Sequence, residues 1–202
     1  TAENVLVASA SNCLAYSLMI LPKDSEVIIF DPYYPPYKQL IKILGLKLKI
    51  IKTKKDFSLN LEKLKGNVSK KTSAIIVNNP NNPTGKIYSR LEIKELMNIS
   101  KERDILLISD EIYEQFDYKK IFVSLLKKKL NCIVINSFSK AYGASGWRIG
   151  YCIAEKKIID ELKKIHLYIS VCAPTPFQKA FEQISNMDNK IILEFKKKRD
   201  YA

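Results

Sequence analysis

The sequence predicts an α/β fold with three layers, in which a mostly parallel mixed sheet is sandwiched between helices. First, short apolar runs that are typical of buried strands alternate with helical patterns along most of the 202 residues. Second, 47% of the residues are hydrophobic, which is enough for a core and is most simply one domain. Third, several of the predicted strands end in polar side chains that a buried strand does not need.

The first half of the chain supplies four predicted strands. A short strand at 5–8 precedes a helix that opens at 9–12 and continues through Leu21, with small hydroxyl residues at its cap. The next predicted elements alternate as strand 26–30, helix 37–44, strand 47–51, helix 59–64 and strand 73–77. Prolines and tyrosines make residues 31–37 a rigid loop with flat aromatic faces.

The second half continues the alternation. Turn-forming residues fill 78–85, and a capping box at 89–92 opens a helix to Arg103. The remaining predicted elements are strand 105–108, a charged helical stretch, strand 132–135, a polar loop at 136–150, an apolar run at 149–154, and helices at 176–184 and from 189 onward.

Polar groups follow three consecutive strands at 78–82, 110–113 and 137–140. In sheets of this kind, ligands bind where the carboxyl ends of the strands gather. The start of the helix at 9–12 adds free amides and hydroxyls that favour an anion. We therefore expect an active site at this edge of the sheet.

The charge of the chain is strongly positive, with 34 Lys and Arg against 21 Asp and Glu and a formal net charge of +13. An anionic partner such as nucleic acid is one explanation. The lysines, however, are scattered over helical segments with few aromatic residues beside them. Solvated helix faces are therefore the favoured interpretation, and we expect no nucleic acid as a partner.

The four cysteines lack the spacing of a zinc site or a disulfide framework. Three of them lie in apolar runs, and buried reduced thiols suit a cytoplasmic protein. No apolar stretch approaches the length of a membrane span, so we expect no membrane partner. The single histidine, His166, lies on a helical segment and is expected to be a packing or surface residue.

The candidate site contains a lysine, an arginine, an aspartate, an asparagine and several tyrosines, without a metal cluster or a histidine base. A partly desolvated lysine beside an arginine can act as a Schiff-base nucleophile and then as a proton carrier. Together with a carboxylate and an anion pocket, this is the set of groups that pyridoxal phosphate chemistry needs.

Four motifs carry a resemblance to a known family. They are Asp-Pro-Tyr-Tyr-Pro at 31–35, Asn-Asn-Pro-Thr-Gly at 81–85, Ser-Asp-Glu-Ile-Tyr at 109–113, and Ser-Phe-Ser-Lys at 137–140 followed by Gly-Trp-Arg-Ile-Gly at 146–150. In order and spacing the chain resembles the class I/II aminotransferases of the aspartate aminotransferase type. The resemblance implies the large domain of a pyridoxal 5'-phosphate-dependent transferase.

The resemblance also implies a role for each site residue. Lys140 would form the Schiff base with the cofactor and carry the proton, and Asp110 would pair with the pyridinium nitrogen. Asn82 and Tyr113 would hydrogen-bond the ring oxygen, and Tyr34 would stack on the ring. The phosphate cup would be formed by Ser9, Ala10, Ser11, Ser137 and Arg148, with Ser9 at a position where the family commonly has glycine.

The same resemblance implies that the chain is a fragment. Residues 1–187 would be a partial cofactor-binding large domain, and 188–202 would begin the helix that leads to an absent small domain. The arginine that binds the substrate carboxylate would lie outside the chain, so the isolated fragment is expected to be inactive. The family implies amino acid and 2-oxo acid substrates and a homodimer.

Three alternatives remain open at this point. The first is a β-eliminating lyase or an aminocyclopropane carboxylate synthase-like enzyme on the same scaffold. The second is the aminotransferase-like effector domain of a transcription regulator. The third is a protein in which the motifs persist without function.

Overall fold

The structure, a computed structural model, describes residues 1–127, 131–183 and 190–201. A seven-stranded mixed sheet forms its centre, in the order β1-β7-β6-β5-β4-β2-β3. The strands are β1 (Val5–Val7), β2 (Glu26–Asp31), β3 (Lys47–Lys52), β4 (Thr72–Asn78), β5 (Leu106–Asp110), β6 (Cys132–Ser137) and β7 (Gly150–Ile153). The five strands from β2 to β6 are parallel, and β7 runs antiparallel to both β6 and β1. The predicted α/β class is therefore confirmed.

Helices cover both faces of this sheet. The helices of the described residues are α1 (Ala10–Met19), α2 (Pro36–Ile43), α3 (Leu61–Asn67), α4 (Arg90–Glu102), α5 (Phe138–Ala141), α6 (Lys156–Ile169), α7 (Thr175–Glu182) and α8 (Lys190–Tyr201). Of these, α1, α2 and α6 pack on one face, and α3 and α4 pack on the other. Short 3-10 turns occur at Ala2–Asn4, Glu114–Phe116, Leu125–Lys127 and Ser145–Trp147. The helix α6 was not among the predicted elements, although His166 was assigned to a helical segment.

Alternate residues of each central strand pack into two separate cores. In β4, Ala74 and Ile76 pack on the side of α1, α2 and α6. Ile75 and Val77 pack on the opposite side, against α3 and α4. This alternation follows from the two-residue period of a strand, and it explains why strands buried on both faces are continuous apolar runs.

The charged helical stretch predicted before the strand at 132–135 is wrong for the part that the structure describes, which has only short 3-10 turns there. The carboxylate of Asp117 accepts hydrogen bonds from the backbone N–H groups of Lys119, at 3.1 Å, and Phe122, at 2.6 Å. Lys120 adopts a positive φ of 55°. Aspartate side chains that bond nearby backbone amides compete with helix formation, so the segment forms turns.

Two other segments differ in secondary structure from the prediction. Residues 138–141 and 145–147, which were predicted as loop, form short helical turns.

The predicted capping box is present, since Ser89 Oγ accepts from Glu92 N and the Glu92 carboxylate accepts from Ser89 N. The proposed domain boundary at 187/188 lies outside the described residues. Among the described residues, no helix combines the length and the apolar character needed to cross a bilayer.

Candidate active site

The candidate active site lies at the carboxyl ends of the parallel strands. β5 ends at Asp110, and β6 continues into α5, which carries Lys140. Both side chains line one cavity of about 600 Å³. Seven of the ten residues singled out in the sequence line this cavity: Ala10, Ser11, Tyr34, Asp110, Ser137, Lys140 and Arg148.

Asp110 lines the cavity at its buried end, with Tyr37 behind it, and we call these two residues the floor. The Tyr37 hydroxyl donates to Asp110 Oδ2 at 2.5 Å, and the backbone N–H of Ile112 donates to Oδ1 at 3.4 Å. Burial raises the pKa of Asp110, while the hydrogen bond from Tyr37 acts to lower it. Burial and the neighbouring Asp110 raise the pKa of Tyr37, so the phenol keeps its proton and acts as a donor.

Hydrogen bonds of the Asn78 side chain connect the loop after β4 to the end of β5. Its side-chain amide donates to the backbone oxygen of Asp110 at 3.0 Å, and its Oδ1 accepts from Asn82 N at 2.6 Å. The backbone N–H of Asn79 also donates to the Asp110 oxygen, at 3.0 Å. These bonds fix the ends of two neighbouring strands relative to each other.

Asn82 and Tyr113 lie beside the cavity. The Asn82 side-chain amide donates to the Tyr113 hydroxyl at 3.4 Å. Both residues line an adjoining cavity of about 580 Å³, and neither is among the residues that line the cavity of Lys140. Burial and the nearby Asp110 raise the pKa of Tyr113. The structure thus brings these two residues together, but at a cavity next to the one that Lys140 lines.

The amino terminus of α1 forms the anion-favouring end of the cavity. Ser9 caps this helix, because its Oγ accepts from Asn12 N at 3.2 Å, and it does not line the cavity. Ala10 and Ser11 follow it in the first turn, where backbone N–H groups have no intrahelical partner. Of the three residues predicted at this helix start, the structure therefore places Ala10 and Ser11 at the cavity and Ser9 at the helix cap outside it.

Arg148 faces the same helix start. Its Nη2 donates to Ser11 Oγ at 3.5 Å, and its Nη1 donates to Ser145 O at 3.0 Å. The residue has a left-handed backbone conformation, with φ 58° and ψ 37°. This conformation is uncommon for a residue with a side chain and is often found at functional sites. Arg148 is exposed, so its charge is available to an anion.

Lys140 differs from its expected environment. We expected a partly desolvated ammonium group beside an arginine, but the Lys140 side chain is exposed. The reason is its position on α5, a helix of four residues that projects from the end of β6. Lys140 and Arg148 together form the exposed rim of the cavity, opposite the buried floor.

A cluster of aromatic side chains contacts the two helical turns of the rim, at 138–141 and 145–147. Phe181 of α7 stacks on Phe138 with ring centroids 4.4 Å apart, and it meets Trp147 edge to face at 5.4 Å. Phe177 stacks on Trp147 at 4.9 Å. Phe138 lies two residues before Lys140, and Trp147 directly precedes the arginine of the rim. Phe181 therefore bridges the two turns that carry the charged side chains.

Glu111 is a second buried carboxyl, next to Asp110 in the chain. Its Oε1 accepts from Ser109 Oγ at 2.8 Å and from Leu125 N at 3.0 Å. Its Oε2 is buried and has no hydrogen-bond partner among the described residues. Burial raises the pKa of Glu111 to about 6. The residue does not line the cavity of Lys140 and ties the segment near Leu125 to the sheet.

Tyr37 is the site residue that the sequence reasoning missed. The loop at 31–37 was recognised as rigid and aromatic, and only Tyr34 was given a role. The available signal was the three-residue spacing of Tyr34 and Tyr37, because such a spacing at a helix start places two side chains on one face. Their rings lie 5.6 Å apart in a T-shaped arrangement.

Other predictions about chemistry can be compared with the structure. His166 is buried, with Nδ1 3.3 Å from the Tyr16 hydroxyl, so it is a packing residue as expected. Cys13, Cys132 and Cys152 are buried free thiols, and Cys172 is exposed. Within the part of the chain that the structure describes, no group of three or more potential metal ligands is found.

Sequence comparison finds one matching family. A sequence model for "Aminotransferase class I and II" matches residues 1–202. The chain is 41% identical to the aspartate aminotransferase of Sulfurisphaera tokodaii, with 98% of this chain and 53% of that protein covered. The chain thus spans about half the length of the curated relatives it matches.

Structure comparison gives the same picture. The crystal structure of aspartate aminotransferase from Thermotoga maritima matches all of this chain and 56% of its own, with a TM-score of 0.95 and 31% identity. The alanine aminotransferase of Pyrococcus furiosus matches with a TM-score of 0.90 and 32% identity, over all of this chain and 55% of its own. The two enzymes are named for different amino acids.

Proposed function

Because this chain belongs to the class I and II aminotransferase family, we propose that it is the cofactor-binding part of an enzyme that transfers an amino group from an amino acid to a 2-oxo acid. The observation that carries this proposal is the single cavity shared by Asp110, Lys140, Ser11 and Arg148. It places a buried carboxyl, an amine and an anion-favouring helix start around one space.

These groups fit pyridoxal 5'-phosphate. The cofactor, when bound, supplies an aldehyde for an amine and a protonated ring that withdraws electrons from the substrate. Ser11, Ser137 and Arg148, with the first amides of α1, suit its phosphate. Asp110 suits its ring nitrogen, and a cavity of about 600 Å³ is of the size that small cofactors occupy.

The roles of the residues follow from their chemistry. The Lys140 amine would hold the cofactor at its aldehyde group and would accept and return the proton of the substrate α-carbon. Its exposed position gives it access to both groups. Asp110 holds the proton on the ring nitrogen, because a buried carboxylate interacts strongly with a cation.

Three further residues orient the ring. Tyr34 lines the cavity and offers an aromatic face for stacking. Asn82 and Tyr113, which bond each other, are proposed as hydrogen-bond partners of the ring oxygen. This role requires that the two side chains turn from the adjoining cavity toward the ligand. Ser9 supports the phosphate cup through its cap of α1.

The proposal extends to the organisation of the protein. Residues 1–187 would form the large domain, and 188–202 would begin the connection to a small domain that supplies the carboxylate-binding arginine. We propose a homodimer in the cytoplasm, and the free cysteines support that compartment. The names of the similar enzymes include aspartate and alanine aminotransferase, so the amino donor is left open between such substrates.

A labelling experiment tests this function. The full-length protein from the reading frame that contains this chain is saturated with pyridoxal 5'-phosphate and reduced with borohydride. We expect peptide mapping to find the reduced cofactor on Lys140, and none on the Lys140→Ala variant. Labelling of other lysines with equal yield would contradict the proposal.

The type of reaction is tested with the same protein. Amino group transfer must depend on an added 2-oxo acid. Release of pyruvate and ammonia in its absence would instead indicate a β-eliminating lyase.

A further inference from the structure

Tyr37 makes the shortest hydrogen bond to the carboxyl of Asp110. The two residues lie on different elements, α2 and β5, and are 73 positions apart in the chain. Tyr37 is 2% exposed and Asp110 is 6% exposed, so water does not compete for this bond. A hydrogen bond between buried partners is among the stronger ones in proteins when one of the partners is ionised.

The carboxyl of Asp110 depends on few donors. Within residues 1–127, 131–183 and 190–201, those donors are the Tyr37 hydroxyl and the more distant Ile112 N. A buried carboxylate without enough donors takes up a proton to avoid the cost of a buried charge. A protonated Asp110 could not balance a cationic ring nitrogen, so the donor from Tyr37 bears on the chemistry of the site.

The same turn of chain also places the aromatic wall of the cavity. The backbone N–H of Tyr37 donates to Tyr34 O at 3.1 Å, and the two rings meet edge to face. Tyr34 lines the cavity, whereas Tyr37 lies behind it. One short segment therefore fixes both the face on which a flat ligand would stack and the carboxyl at its edge.

We propose that Tyr37 is a positioning residue that keeps Asp110 ionised and fixes the rotation of its carboxyl, leaving Oδ1 for a cationic N–H of the ligand. This inference rests on the proposed function, because the cation in question is the ring nitrogen of the cofactor. The titratable groups around the bond are Tyr34 and Tyr113, with Lys140 and Arg148 at the rim of the cavity.

The test compares Tyr37→Phe with wild type in the full-length apoenzyme. This substitution removes one oxygen and keeps the ring. Tyr16→Phe is the matched control, because Tyr16 is also buried and its hydroxyl also forms hydrogen bonds, to Ser170 and His166. We expect the Kd for pyridoxal 5'-phosphate to rise about 10- to 100-fold in Tyr37→Phe, as for loss of a bond to a charged group. The Kd of the control should stay within about twofold of wild type, on the basis that distant sites act independently.

The pH dependence of binding provides a readout that a packing role would not change. Tight binding should weaken as the pH falls and Asp110 takes up a proton. Without the donor from Tyr37, that weakening should begin at a higher pH in Tyr37→Phe than in wild type or in Tyr16→Phe. An unchanged Kd and an unchanged pH profile in Tyr37→Phe would overturn the inference.

A second comparison removes the charge. If Tyr37 acts through Asp110, Tyr37→Phe should add no loss of affinity in an Asp110→Asn background. A further loss of affinity there would contradict the positioning role. If Tyr37→Phe alone does not fold, the comparison of the double variant with Asp110→Asn still tests the proposal. A failure of the proposed function is distinct, since wild type itself would then neither bind the cofactor nor carry it on Lys140.

Discussion

The floor and the rim of the cavity are built in different ways. The floor, Asp110 and Tyr37, is buried and is fixed by a short hydrogen bond at the end of a central strand. The rim, Lys140 and Arg148, is exposed and lies on short helical turns. Phe181 contacts an aromatic ring of each turn, and Ser145 Oγ donates a hydrogen bond across them to Ser139 O at 3.3 Å.

Because of this difference, we expect the floor and the rim to contribute to different steps, the floor to the chemical step and the rim to ligand binding. A buried carboxyl is oriented before any ligand arrives, so its electrostatic effect needs no reorganisation. Exposed cations interact weakly until a ligand excludes water from around them. We therefore expect loss of the floor carboxyl of Asp110 to reduce the chemical step most, and loss of the rim guanidinium of Arg148 to reduce cofactor binding.

The largest effect is expected for the floor. Asp110→Asn replaces the carboxyl by a neutral amide that cannot balance a protonated ring nitrogen. The kcat of amino group transfer by the full-length enzyme should fall roughly 100- to 1000-fold, the range for loss of one preorganised electrostatic group. Asp160→Asn, at an exposed ion pair on α6, is the control. A loss of less than about threefold in Asp110→Asn would remove the distinction between floor and rim.

The rim is examined by Arg148→Gln. Loss of the guanidinium should raise the Kd for pyridoxal 5'-phosphate about 10-fold or more, the effect of losing a charge-assisted hydrogen bond. The Kd for pyridoxal, which has no phosphate, should not change. Arg103→Gln, at the exposed end of α4, should affect neither ligand. Equal losses for both ligands in Arg148→Gln would show that Arg148 acts on the fold and not on the phosphate.

The buried character of the strand end gives a pH prediction at Glu111. Burial raises the pKa of this carboxyl from its usual 4.5 to about 6, so the folded state favours the protonated form. The resulting stability is fully present below pH 4.5 and is lost as the pH rises through about 6. By linkage it amounts to about 2 kcal/mol.

Urea unfolding of the apoenzyme measures this effect. The unfolding free energy of wild type minus that of Glu111→Gln should decrease by about 1.6 kcal/mol between pH 4.5, where the unfolded carboxyl is already half ionised, and pH 7.5. The glutamine does not titrate, so the subtraction isolates the carboxyl. A constant difference across this range would show that Glu111 is not desolvated in solution.

The smallest effect is expected for the support of the rim. Phe181→Leu keeps an apolar side chain but removes the stacked ring, at a cost of about 1 kcal/mol in unfolding free energy. Cofactor affinity should fall about fivefold, the equivalent of about 1 kcal/mol, because the turns of Lys140 and Arg148 lose the ring that contacts both of them. Phe57→Leu, on an exposed loop, should change neither quantity. Unchanged affinity in Phe181→Leu would mean that the rim is positioned without the aromatic cluster.

Much of the fold was predictable because its signals are local. Strands buried on both faces are apolar runs, and the capping box at Ser89 and Glu92 marks a helix start through adjacent residues. The polar ends of β4, β5 and β6 indicated where the cavity would lie. The charged stretch after residue 114 was misjudged because a single side chain, Asp117, bonds the backbone into turns, which composition does not reveal.

The arrangement of the site was less predictable because it depends on contacts between distant segments. The bond between Tyr37 and Asp110 joins two elements that only the folded sheet brings together. The exposure of Lys140 depends on how far α5 projects from β6. Motif spacing supplied the candidate site residues, but it does not reveal which of them are buried.

The close backbone contacts at Gly150 limit how segments of this domain can be exchanged with those of related proteins in chimeras. A Cβ atom at this position would lie 2.7 Å from Asn136 O, 3.1 Å from Ala10 N and 3.2 Å from Ala8 O, so three backbone segments meet where no side chain fits. Segments in such contact cannot be exchanged one at a time unless the donor protein has the same spacing. Chimeras should therefore inherit residues 8–10 and 136–150 from a single parent, whichever parent supplies the remainder.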